Sequence, residues 1–117
     1  MSAVGLPVPA DFAAPPSSAE LARWAEADRA ARPVRLASLR ARMAAEGVDA
    51  LLLTSHADAR YFAGMCFGPH EEATAGSSGW LLVAHERLAI LVDSRYDVQA
   101  RDEAPEATRV AYGSDPG

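Results

Sequence analysis

Two short runs hold the residues best able to bind or react. Asp93-Ser94-Arg95-Tyr96 sets a carboxylate two residues from a guanidinium, at the end of an apolar run. A guanidinium can grip a carboxylate through two parallel hydrogen bonds, which suits recognition of a peptide end or of a dimer mate. The plainer reading has Asp93 capping the following helix and Arg95 pairing with a nearby carboxylate. Upstream, Cys66, His70, Glu71 and Glu72 offer thiol, imidazole and carboxylates, all of them zinc-binding groups. Their spacing argues against a metal centre: His70-Glu71-Glu72-Ala73-Thr74 lacks the second His of a zinc-binding helix, and His56 and His85 stand apart. A loop role is expected for this stretch, with His70 a candidate contact to substrate or to a neighbouring subunit.

Gly76-Ser77-Ser78-Gly79 could suggest a nucleophile or a phosphate cradle. A nucleophilic serine needs an ordered His and acid partner, and none is evident. The run is also too short for a phosphate loop, and the chain contains no Lys. The glycines then supply backbone freedom and the serines satisfy turn amides. Trp24 and Trp80 are aromatics of the kind found at interfaces, although a partly buried core place is commoner. Tyr61, Phe62 and Tyr96 are expected in the core. Arg95, Asp93, Tyr96, Trp80 and His70 are the candidate substrate or interface residues, with no catalytic residue and no metal ligand among them.

The elements that must position these residues follow from periodicity and caps. Residues 1–16 hold Pro7, Pro9, Pro15 and Pro16 without a sustained period, which predicts an irregular arm ahead of a domain spanning 17–117. Ser17-Ser18-Ala19-Glu20 fits a capping box and starts a helix with Leu21, Trp24 and Ala25 on one face. Pro33 suits the first turn of a second helix, whose Leu36, Leu39 and Met43 share a face and whose end is marked by Gly47. Val48 to Leu53 has three consecutive leucines after Ala50, the continuous apolar run expected of an interior strand covered on both faces. Ser55 with Asp58 starts a short helix running to Gly64, and residues 65–78 form a loop. Trp80 to Ala84 and Leu88 to Val92 make an antiparallel hairpin. A helix from Arg95 to Glu103, stopped by Pro105, and a last strand from Thr108 to Tyr112 complete an α/β layer with a mixed β-sheet flanked by helices.

Bulk properties narrow the functions. At 117 residues and 50% apolar, one compact domain is the default. A formal charge of −5 without a basic cluster leaves no electrostatic footprint for nucleic acid or an anionic membrane. No window approaches the apolar length of a membrane span. Cys66 is the only cysteine, which excludes an intramolecular disulfide, and no secretory-type segment opens the chain, so a cytoplasmic location is expected. All eleven basic residues are Arg, a bias from which no function follows.

Laid out in order, Arg35-Leu36 to Met43, Gly47-Val48-Asp49-Ala50-Leu51-Leu52, Arg60-Tyr61-Phe62-x-Gly64, Gly76-Ser77-Ser78-Gly79 and Asp93-Ser94-Arg95-Tyr96 with Gln99-Ala100 resemble the amino-terminal domain of the aminopeptidase P, prolidase and creatinase family. Two departures stand out. Eleven residues separate Gly64 from Gly76 where the family commonly has a few, and Ser94 replaces a usual Gly.

The resemblance implies a creatinase/prolidase-type N-terminal α/β domain, with the catalytic "pita-bread" domain lying outside these residues. It implies a parent Xaa-Pro aminopeptidase whose catalytic part holds two divalent metals, often manganese, that activate a bridging water; no cofactor is expected in this chain. The domain itself would build a homo-oligomer and wall the active-site mouth, meeting peptide only together with the catalytic domain. A prolidase- or creatinase-like parent with another substrate is the variant within this class, and a stand-alone protein-binding module is the alternative from another class.

Overall fold

The computed structural model describes residues 14–112, apart from the side chain of Ala73. Most of the expected irregular arm, and the last five residues, lie outside that range. Helix α1 spans Ser18–Glu46, strand β1 Ala50–Leu53, helix α2 His56–Asp58, and a π-helical turn Ala59–Ala63. Helix α3 follows at Pro69–Thr74, strands β2 and β3 at Leu81–Ala84 and Leu88–Val92, helix α4 at Asp97–Glu103 and strand β4 at Thr108–Ala111.

One long helix replaces the two expected around Pro33. Its start is as read: Ser17 Oγ accepts from the Glu20 N–H at 3.1 Å, and Gly47 ends it in the left-handed region at φ 71°. Proline inside a helix removes one backbone bond and crowds the preceding turn. Here the break is spanned by side chains. Asp28 accepts from Arg32 Nη2 at 3.0 Å and from Arg35 Nη1 at 2.7 Å, clamping the turns on both sides of Pro33. Trp24, expected to be partly buried, is 56% exposed on the amino-terminal half of this helix, whose first core residue is Leu36.

The sheet is mixed and runs in the order β1-β2-β3-β4. β1 pairs antiparallel with β2 in the register Leu51↔Val83 and Leu53↔Leu81, and β2 antiparallel with β3 through Leu81↔Ile90. β3 and β4, joined through α4, are parallel with Ile90↔Arg109. β1 is therefore an edge strand, not the interior one expected. Its three leucines imitate a doubly covered strand, yet Leu52 is 51% exposed. One sheet face carries Leu81, Val83, Leu88, Ile90 and Val92, all buried against Leu36 and Met43 of α1 and Ala100 of α4. The region expected as a plain loop contains α3, started by Pro69 and by Glu71, whose carboxylate accepts from the Gly68 N–H at 3.1 Å. Arg40 fastens α1 to the hairpin by donating to the carbonyls of Ala84 and Arg87.

Candidate functional site

The end of β3, the Gly-Ser-Ser-Gly loop and the end of β4 meet at one corner. Ser78 is fully buried there. Its Oγ accepts from the Asp93 N–H at 3.0 Å and lies 3.1 Å from the Tyr112 hydroxyl. Tyr112 donates its own proton to the Ala75 carbonyl at 3.1 Å, so Ser78 is the donor in the pair of hydroxyls. That chain of bonds holds the loop, β3 and Tyr112, just past β4, in a fixed relation. Ser78 thus serves an amide, as read from the sequence, though across the fold and not within its own turn.

Asp93 and Arg95 lie at the mouth of this corner. Asp93 accepts from the Arg95 backbone N–H at 2.9 Å and from its guanidinium at 2.7 Å, closing a turn ahead of α4. The expected helix cap is absent: α4 begins after Tyr96 with no side-chain cap. Arg95 also donates to the Thr74 carbonyl at 3.0 Å, tying α3 to the corner, and its guanidinium sits 5.2 Å over the Tyr96 ring. The Arg95 hydrogen bond holds the Asp93 carboxyl below its ordinary range against an opposing desolvation, and Asp93 in turn raises Arg95. Both stay charged at neutral pH. The guanidinium already has its carboxylate partner, yet its side chain is 54% exposed.

Tyr96 links the corner to a cleft. Its ring is buried and meets Phe67 edge-on at 5.1 Å, and Phe67 stacks on His56 at 4.3 Å. Gly79 permits this arrangement, since it sits at φ 92° and a Cβ there would lie 2.6 Å from the Phe67 ring. The cleft beside Phe67, about 340 Å³, is lined by Asp28, His56, Arg60, Tyr61, Cys66 and Glu72 among others. None of the five sequence candidates lines it. His70 lies exposed on α3, and Trp80 enters the corner through its carbonyl, which accepts from Leu91 N–H at 2.9 Å. Tyr61, expected in the core, is 51% exposed beneath the Arg35 guanidinium, 4.3 Å from its ring centre.

Two contacts escaped sequence reasoning. Arg32, which is only 12% exposed, lies across Gly64: a Cβ at Gly64 would fall 2.2 Å from its guanidinium carbon, and Gly64 itself has φ 89°. Gln99 and Glu103 hold the peptide of Cys66, Gln99 donating to its carbonyl while Glu103 accepts from its N–H at 2.9 Å. The Gln99-Ala100 pair thus has a mechanical sense: Gln99 pins the loop, and Ala100 is fully buried in the core. Among the described residues no three His, Cys, Asp or Glu side chains gather as metal ligands, so the donor set does not fit the divalent metal site that the resemblance implies for a catalytic domain.

Comparison with known proteins agrees with this architecture. The Creatinase/Prolidase N-terminal domain model matches residues 35–116, and the chain belongs to that family. Among solved structures, the N-terminal domain of the cytoplasmic peptidase PepQ from Mycobacterium tuberculosis H37Rv is 30% identical, with TM-score 0.54, over 68% of this chain and 55% of that one. A Xaa-Pro aminopeptidase from Streptococcus pyogenes is 25% identical, with TM-score 0.57, over 68% of this chain and 55% of its own. A Xaa-Pro dipeptidase from Bacillus anthracis, 23% identical, shares the fold with TM-score 0.58 over 72% of this chain and 21% of its own. The chain therefore spans about half of the first two and a fifth of the third. No match was found among curated proteins. No helix among the described residues is long and apolar enough to cross a membrane.

Proposed function

We propose that this chain is the non-catalytic N-terminal domain of a Xaa-Pro aminopeptidase-like metallopeptidase, working in the cytoplasm to assemble a homo-oligomer and to shape access to the active site. The observation that carries the proposal is the family match over residues 35–116, whose solved neighbours include a Xaa-Pro dipeptidase, a Xaa-Pro aminopeptidase and the N-terminal domain of a cytoplasmic peptidase. The geometry supports a positioning role. The Asp93–Arg95 corner is cross-braced by Ser78, Tyr112 and Thr74, and it presents one exposed guanidinium on a rigid base. Such a group suits a peptide carboxylate or an acidic residue of a subunit mate. Metal chemistry, with manganese the expected ion, would belong to a catalytic domain; among the described residues no ligand set gathers for it.

The test is a pair of assays with Xaa-Pro peptides and manganese, one on the 117-residue chain and one on the complete gene product. The reading expects hydrolysis by the complete product alone. Turnover by the 117-residue chain, or none by the complete product on any Xaa-Pro peptide, would overturn it.

A further inference from the structure

The cleft beside Phe67 carries two charges that the fold leaves without partners. Asp28 of α1, one of its acidic groups, is occupied within the chain, since its carboxylate accepts from Arg32 at 3.0 Å and from Arg35 at 2.7 Å. Arg60 of the π-helical turn and Glu72 of α3 also line the cleft, and among the described residues neither side chain has a hydrogen bond or an ion pair. Between them in the chain, Phe67 supplies an apolar wall held on two sides, by His56 stacked at 4.3 Å and by Tyr96 edge-on at 5.1 Å. Tyr61 is fixed beneath the Arg35 guanidinium, and the Cys66 peptide is bonded to both Gln99 and Glu103. The walls are therefore formed before any ligand arrives, which lowers the entropy cost of binding. At about 340 Å³ the cleft falls in the lower part of the range for small-molecule sites, about 300–1,000 Å³.

The charges sort the candidate ligands. An anion such as phosphate would gain Arg60 but face the Glu72 carboxylate, and a simple cation would meet the reverse. A wholly apolar ligand would strip water from both groups and replace none of its bonds. One small molecule bearing both charges and an apolar substituent matches the whole lining. We propose that the cleft binds a free α-amino acid with an apolar side chain, its carboxylate on Arg60, its ammonium on Glu72 and its side chain against Phe67 and Tyr61. Arg60 can take the carboxylate through two parallel N–H···O bonds, and the ammonium donates to Glu72. Every group involved belongs to this chain, so the site depends neither on peptidase activity nor on an attached catalytic domain.

Cys66 lines the same cleft and is exposed, so alkylation of its thiol reports whether the cleft is filled. The test is the rate of iodoacetamide labelling at Cys66 in the 117-residue chain, read by peptide mass spectrometry, with L-leucine as the probe. For a Kd of about 1 mM, about 10 mM L-leucine leaves roughly one site in eleven empty, and labelling should slow about tenfold. L-Leucinamide lacks the carboxylate and N-acetyl-L-leucine lacks the ammonium, so each should need at least about ten times the concentration for the same protection. Arg60→Gln and Glu72→Gln, at exposed positions, should each remove the protection. Equilibrium dialysis of radiolabelled L-leucine against the complete gene product and its Arg60→Gln variant gives a second reading should the 117-residue chain fold poorly alone. Absence of both Cys66 protection and Arg60-dependent binding, equal protection by the blocked analogues, or an effect unchanged in either variant would overturn the proposal. Arg60-dependent binding by a complete product that hydrolyses no Xaa-Pro peptide would keep this site while removing the proposed function, and hydrolysis without such binding would do the reverse.

Discussion

Replacing Ser78 by Ala should loosen the corner that carries Asp93 and Arg95. The lost oxygen is the acceptor for the Asp93 N–H at 3.0 Å and the donor to Tyr112 at 3.1 Å. Ser78 is fully buried, so water cannot replace the oxygen without entering the core. A buried donor left without an acceptor costs about 1–3 kcal/mol, and the second bond adds about 1 kcal/mol. The expected loss is therefore about 2–4 kcal/mol, a large share of the stability of a domain of this size. At about 4–8 °C per kcal/mol for domains of 60–100 residues, the melting temperature should fall by at least about 8 °C. Urea unfolding followed by circular dichroism measures the loss, and Tyr112→Phe closes a double-mutant cycle. Because both side chains belong to one chain of bonds, a coupling of about 0.5 kcal/mol or more is expected. A Ser78→Ala variant within about 0.5 kcal/mol of the parent, with no coupling to Tyr112→Phe, would refute the bonding scheme.

Other perturbations test other parts. Gly64→Ala combines a left-handed φ of 89° with a clash at Arg32, so a loss of at least about 1–3 kcal/mol is expected in the urea midpoint, partly relieved in the background of Arg32→Ala. Pro33→Ala restores the missing backbone bond inside α1 and should stabilise the chain by up to about 3 kcal/mol; an unchanged midpoint would mean that the clamp at Asp28 already removes the cost. Hydrogen bonding from Arg35, then Arg32, lowers the Asp28 carboxyl against desolvation, so its contribution is complete above about pH 4 and fades as pH falls through the lower folded value. Asp28→Asn should therefore flatten the acid limb of the stability profile, and a parallel acid limb in the variant would contradict the assignment. Arg95→Ala should leave the urea midpoint nearly unchanged because the side chain is exposed, while weakening binding of an acidic peptide or subunit contact in the complete protein.

The strands and the order of elements were legible because β2 and β3 are short apolar runs around a three-residue turn, and Ser17, Ser55, Gly47 and Gly64 carry their cap signals in local sequence. The missed helix α3 did carry a local signal, Pro69 followed by Glu71, whereas the other failures had non-local causes. Pro33 normally signals a boundary, and only the contacts of Asp28 with Arg32 and Arg35 show why the helix continues. Leu51-Leu52-Leu53 has the composition of a doubly covered strand, and the edge position of β1 appears only with the sheet order. Asp93 and Arg95 were singled out by type, but that each satisfies the other depends on the turn between them. The hold of Gln99 and Glu103 on Cys66 spans more than thirty residues and has no local signature.

The central claim, that these residues form one domain of a larger peptidase, is tested most directly by the mass of the complete gene product, measured on the denatured single polypeptide. The account predicts a mass several times 12.3 kDa. A mass near 12.3 kDa would contradict it and favour a stand-alone binding module.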